Sequence, residues 1–306
     1  MALVLVHLGS FAPQYLLDCV SQARLWSPEF PIYTVLDYTH RGSSFSETLA
    51  AKTTVVFTDE LERSPQHLRF LENYKGDEAF RGKYWRHVKE RFFYIQELMT
   101  QKNLSNVLYA EYDVLWYYPL EEIVEKLKGS RTVRCVKAEP GRAHPATIFF
   151  PTFGHAAHLA QYVQEYPGWD DMNCIGHYCT QYNTGFLPCC PDTYRPEIPF
   201  LSWDFRRLGI LFDSLVYGQY VTGVDVRNTG GVRKLYHDNE TSYYHFADFK
   251  FAWMRDEKGR WYPTVDGHRL VTIHVHSKAL SCFLSNRRSP VGDYDPLELL
   301  ATLEKN

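Results

Sequence analysis

The sequence predicts a single α/β domain built on a mixed, mostly parallel sheet flanked by helices. Two observations carry that expectation. Short apolar runs, of the kind left by strands buried on both faces, alternate with stretches of helical periodicity. No Pro/Ser linker, low-complexity tract or internal repeat divides the 306 residues.

The elements follow in order. Leu3 to His7 (LVLVH) reads as a first buried strand. Pro13 opens a helix with Leu16, Leu17, Val20 and Leu25 on or near one face, and Pro28 and Pro31 close it. Ile32 to Leu36 (IYTVL) is a second strand ending at Asp37, and Thr53 to Thr58 a third. Ligands of open parallel sheets sit beyond the carboxyl ends of strands, where His7 and Asp37 stand. A long helix spans Tyr84 to Met99, with Trp85, Val88, Phe92, Ile95 and Leu98 at helical spacing. Its basic residues Lys83, Arg86, Lys89 and Arg91 read as a solvated face with one inward arginine. A strand from Val107 to Ala110 leads into Glu111-Tyr112-Asp113, and a helix from Leu120 to Lys128 follows Pro119. Residues 131–153 suggest further strands and Phe153 to Tyr166 a helix. The chain then reads as irregular through Phe200, helical over Leu208 to Tyr220, and extended over Leu270 to His276. The expected division is a ligand-binding half over about 1–130, a second half over about 131–285, and a tail helix near 294–304.

Composition narrows the function classes. Hydrophobic residues at 45% and charged residues at 23% suit a globular core, and argue against disorder or a coiled coil. No apolar run approaches the roughly 20 residues of a membrane span. Met1 to Leu8 lacks the positive flank and cleavage site of a signal peptide. With 33 basic and 36 acidic side chains the net charge is −3, which gives no long-range pull on nucleic acid or anionic membrane. Seven cysteines, an odd number without a regular framework, fit a reducing compartment. The spacing of Cys174, His177, Cys179, Cys189 and Cys190 contains no paired C-x₂-C unit, so buried thiols are expected there in preference to structural zinc. These signals point to the cytoplasm, a host's if the chain is viral, and to no nucleic-acid partner.

Two constellations carry chemistry. Glu111 and Asp113 stand one residue apart at the end of a buried strand, where residues i and i+2 share a face roughly 7 Å apart. Two such carboxylates can share a hard divalent cation, Mg²⁺ or Mn²⁺, which can bridge to the phosphates of a nucleotide. Taken alone, E-x-D after a strand is more often an ordinary acidic loop. Near the other end, Thr272 to Lys278 alternates polar and apolar residues, so that His274, His276 and Lys278 share one face. An imidazole can complete a metal site, and a lysine meets phosphate as a point charge.

With these residues in view, the sequence resembles the GT-A nucleotide-sugar glycosyltransferases of the glycogenin and bacterial galactosyltransferase type. Arg91-Phe92-Phe93 and Asn106 to Asp113 are similar to that family's helix-strand-D-x-D segment. Tyr182-Asn183-Thr184-Gly185-Phe186 is similar to its N-x-G turn, and the closing His-x-His-Ser-Lys to its final His…Lys segment. The order matches from about residue 3 to 285. The resemblance implies a GT-A-type, Rossmann-like domain that moves a sugar from a nucleotide-diphosphate donor, UDP-sugar favoured, to a glycan or other hydroxyl acceptor. It implies Mn²⁺ or Mg²⁺ held by Asp113, with Glu111 and with His276 or His274; His276 is favoured because it adjoins Ser277-Lys278. The family more often has Asp at the position of Glu111, so Glu111 would either join the metal site or touch the ribose or a water. His7, Asp37, Arg91, Asn183 and Lys278 would bind the donor. Asp213 is the first candidate for the functional carboxylate, with Asp204 and Asp225 as rivals, and Gln219 and Asp225 would line the acceptor side. Retention or inversion is left open.

Two other functions compete. A sugar-1-phosphate nucleotidylyltransferase would carry a Gly-rich phosphate loop after the first strand, where Gly9-Ser10-Phe11-Ala12-Pro13 stands instead. A glycan-binding module derived from the same fold would use the aromatics, 16% of the chain, without turnover.

Overall fold

The computed structural model describes residues 1–230, 234 and 236–287. The tail helix expected near 294–304 lies outside the described residues. The first half alternates strand and helix: β1 (Ala2–His7), α1 (Gln14–Trp26), β2 (Ile32–Leu36), α2 (Ser44–Ala50) and β3 (Thr54–Phe57). Helices α3 (Pro65–Asn73) and α4 (Tyr84–Gln101) precede β4 (Ser105–Ala110), β5 (Val114–Trp116) and α5 (Leu120–Leu127). A hairpin of β6 (Arg134–Glu139) and β7 (Arg142–Thr152) leads to α6 (Phe153–Glu165), α7 (Asp171–Gln181) and β8 (Gly185–Phe186). Short elements follow: α8 (Phe205–Leu208), β9 (Ile210–Leu211), α9 (Val216–Thr222), β10 (Phe251–Arg255), β11 (Trp261–Val265), β12 (His268–Leu270) and β13 (Thr272–His274).

Seven strands form the main sheet in the order β3-β2-β1-β4-β7-β6-β8. Neighbours run parallel except on either side of β7. This is the mixed, mostly parallel sheet that the alternating pattern predicts. Its burial on both faces is visible within β1: Leu3 and Leu5 pack into one core with α1 and α5, Val4 and Val6 into the other with α3, α4, α6 and α7. Among the described residues, no helix is long and apolar enough to cross a membrane.

Four expectations change. The stretch over 167–200 contains α7, which its density of Gly, Cys and aromatics hides. Asp170 caps this helix by accepting a hydrogen bond from the Asn173 amide at 2.7 Å. A Cβ at Gly176 would meet the Gly141 carbonyl at 2.1 Å, so only glycine lets α7 lie against the β6–β7 turn. The predicted helix over Leu208 to Tyr220 is two helices separated by β9, with Gly209 and Leu215 at positive φ (67° and 79°) marking the breaks. Its apolar run Ile210-Leu211-Phe212 matches a helix in spacing, but Ile210 and Leu211 pair with β12. The predicted strand over Leu270 to His276 ends at His274. The His276 amide turns back to the His274 carbonyl at 2.9 Å, which ends the alternation. On α4, Lys89 is buried along with Arg91, its ammonium hydrogen-bonded to the Pro167 carbonyl.

Candidate active site

Strand β13 pairs antiparallel with β5, opposing His274 to Val114. The Val275 amide donates to the Asp113 carbonyl at 2.8 Å, so the closing strand is laced to the acidic segment. Glu111 and Asp113 lie in a turn beyond β4, where the Val114 amide donates to the Glu111 carbonyl at 3.1 Å. The turn, more than strand alternation, brings them together. His274 Nε2 stands 3.0 Å from Asp113 Oδ2 and 3.6 Å from Glu111 Oε2. One donor atom from each of Glu111, Asp113 and His274 fits within 4.8 Å of the others, the one such group among the described residues. The second Asp113 oxygen, Oδ1, is buried without a hydrogen-bond partner. Two carboxylates, one of them with an unspent oxygen, and an imidazole are a donor set that suits a divalent cation. The Lys278 ammonium lies on Asp113 Oδ2. Burial alone would raise the Asp113 pKa, but His274 and Lys278 hold it well below the usual carboxylate range.

Each arm of Arg91 holds one acid: Nη1 meets Glu111 Oε1 and Nη2 meets Asp171 Oδ2, both at 2.6 Å. Burial lifts the Asp171 carboxyl to about 6. Asp171 is a residue the sequence reading missed, because nothing local to Asp170-Asp171 links it to a helix eighty positions earlier.

Asp213 sits between β9 and α9, fully enclosed at 2% exposure. It accepts from the His274 amide at 2.8 Å and the Tyr217 amide at 3.2 Å, and its own amide donates to Thr272 Oγ1 at 2.9 Å. It therefore braces the backbone of His274. Burial outweighs these bonds and pushes its carboxyl up to about 6. Gly218 on α9 makes the brace possible, since a Cβ there would stand 2.2 Å from the His274 carbonyl and 2.4 Å from Asp213 Oδ2.

His276 is not part of the Glu111–Asp113–His274 group, and its Nδ1 accepts from the Asp225 amide at 3.0 Å. Burial, with Lys278 and His274 nearby, lowers its pKa to about 3 and keeps it neutral. The Asp225 carboxylate is forked by Arg227, with Oδ2 2.6 Å from Nη2. Gln219 is half-buried on α9. Asp204 pairs with Arg134 at 2.8 Å, where β6 begins, and with Arg207. Asn183 is exposed at positive φ just before β8, which starts opposite Arg134. The structure thus sets Asn183 and Asp204 toward the amino end of β6, and not at the carboxyl edge that carries Glu111.

His7 ends β1 and Asp37 follows β2 on that carboxyl edge. His7 Nε2 donates to the Phe11 carbonyl at 2.5 Å, leaving Nδ1 to accept from the Tyr112 hydroxyl at 3.1 Å. Burial lowers the His7 pKa to about 4, in keeping with that neutral tautomer. Tyr15 stacks on Tyr112 with ring centroids 5.5 Å apart. Asp37 accepts from the Thr39 amide and hydroxyl at 3.0 and 2.7 Å. Burial opposes its charge, but these bonds and one from Gly9 lower its pKa overall.

No protein-family model matches the chain, and no curated protein matches it in sequence. Among solved structures, the fold is similar to mouse xyloside xylosyltransferase 1 in its apo form, at 11% identity and a TM-score of 0.43, over 66% of this chain and 93% of that one. It is similar to the PaToxG glycosyltransferase at 8% identity and a TM-score of 0.43, over 59% and 69% of the two chains. It is also similar to the galactosyltransferase LgtC, in complex with donor and acceptor sugar analogues, at 11% identity and a TM-score of 0.43, over 61% and 73%.

Proposed function

We propose that the chain is a cation-dependent glycosyltransferase that moves a sugar from a nucleotide-diphosphate sugar, UDP-sugar favoured, to a hydroxyl of a glycan or other acceptor. The observation that carries this reading is the Glu111–Asp113–His274 group beside Lys278, at the end of β4 and next to the β1–β2 edge. Such an edge is where open α/β sheets take nucleotides. A Mn²⁺ or Mg²⁺ ion held by these three side chains would neutralise the diphosphate as it leaves. The protein's own groups do the rest. Lys278 supplies a point charge to phosphate. Arg91, clamped between Glu111 and Asp171, fixes the first acid. Asp213 holds the His274 backbone in register. His7, Tyr15, Tyr112 and Asp37 form an aromatic and polar end suited to a nucleoside.

The test is nucleotide release from a panel of UDP-, GDP- and dTDP-sugars, with and without Mn²⁺. Release from one donor is expected, and Asp113→Ala should lower it by roughly 10²-fold or more. Glycan binding that survives EDTA, with no release from any donor, would replace this reading with a non-catalytic glycan-binding module.

A further inference from the structure

Resting on that reading, we propose that Glu139 and His144 form the subsite for the hydroxyls of the transferred sugar. The order of the strands leads there. A nucleotide sugar is a linear ligand of nucleoside, diphosphate and sugar. Along the carboxyl edge, β2 and β1 carry Asp37 and His7, and β4 leads to Glu111 and Asp113. With the nucleoside at β1–β2 and the diphosphate at the acids, the sugar lies over the next strands, β7 and β6. Glu139 is the last residue of β6 and pairs in register with Arg142, the first of β7. Both ends share the edge of Glu111, whose amide donates to Ala146 of β7 at 3.0 Å.

The side chains at this point are polar and poised. Glu139 is 4% exposed, with Oε1 accepting from Asn239 at 2.7 Å and Oε2 from Arg142 at 3.2 Å. His144 is 1% exposed, and neither ring nitrogen has a hydrogen-bond partner among the described residues. Its Nε2 lies 3.7 Å from Glu139 Oε1, beyond hydrogen-bonding distance. Burial lowers its pKa to about 4, and it lies two residues before Ala146, whose carbonyl accepts from the Glu111 amide. A neutral imidazole offers one donor and one acceptor, the complement of a hydroxyl, and a buried one left with neither bonded is costly. Glu139 adds a carboxylate acceptor beside it. A sugar with vicinal hydroxyls satisfies both.

The experiment compares wild type, His144→Leu and Glu139→Gln in the full chain. UDP affinity in Mn²⁺ is read by calorimetry, and kcat and KM by UDP release from UDP-glucose, UDP-galactose, UDP-N-acetylglucosamine and UDP-xylose. His144 has no hydrogen-bond partner among the described residues, so its replacement by leucine, checked by thermal unfolding, removes no hydrogen bond described there. Both variants should bind UDP within about two-fold of wild type, while kcat/KM for the preferred donor falls ~10- to 100-fold and the ranking of the four sugars flattens. Unchanged kcat/KM and ranking in variants that bind UDP normally would overturn the assignment. Failure of the wild type to bind UDP, GDP or dTDP in Mn²⁺ would overturn the glycosyltransferase reading, and this subsite with it.

Discussion

Arg91 shows how a single side chain can set a site. It is buried, and its two arms hold carboxylates that belong to a turn and to a helix start. Lysine carries the same charge but cannot fork. Arg91→Lys should therefore leave one acid buried without its partner and lower unfolding stability on the order of 3 kcal/mol, read by urea denaturation. An unchanged midpoint would show that the bridge contributes nothing. At this scale the sequence was partly legible. Glu111 and Asp113 stand out because they end an apolar strand, and His274 because its neighbours alternate. That His274, more than His276, stands beside the acids was not legible. It depends on a backbone reversal at residue 276, and alternation alone carries no sign of that turn. Asp171 and His144 are invisible in the same way, since each acquires meaning only from residues distant in the chain.

Among the elements, α3 and α4 are joined by a buried polar cluster. His67 Nδ1 lies 2.9 Å from Glu97 Oε1, and Nε2 lies 3.3 Å from Glu90 Oε1. Burial pulls the His67 pKa down, but the two carboxylates outweigh it and the net shift is upward. A raised histidine contributes stability that is fully present below its unfolded pKa, about 6.5, and is lost as pH rises through the higher folded value. His67→Gln should accordingly cost the most stability near pH 6 and progressively less toward pH 8, followed by the thermal midpoint of both proteins across that range. A cost that stays constant with pH would mean that His67 is neutral in the fold. Elements with one dominant period, such as β1, α1, β2 and α4, were legible from spacing. The segment from 205 to 222 was not, because a short run that pairs as a strand and a helix flank share one apolar spacing, and the left-handed turns at Gly209 and Leu215 separate them. The density of aromatics, Gly and Cys hid α7 by blurring its apolar face.

For the molecule as a whole, the site is a property of the sheet's carboxyl edge. Strands β2, β1, β4, β7 and β6 present Asp37, His7, the acidic turn, His144 and Glu139 in that spatial order, and the late strand β13 lays His274 across the acids. The α/β class and the parallel start of the sheet follow from the apolar runs. The way β13 returns to β5 does not, because pairing between residues 114–116 and 272–274 leaves no local trace. The central claim is that Glu111, Asp113 and His274 together hold the cation to which a nucleotide binds. Calorimetric titration with UDP in Mn²⁺, and again in EDTA, tests it most directly when repeated on Asp113→Ala and His274→Ala. The account predicts UDP binding to the wild type in Mn²⁺ alone, weakened roughly ten-fold or more in each variant. Equal affinity in all three proteins, or binding indifferent to EDTA, would contradict it.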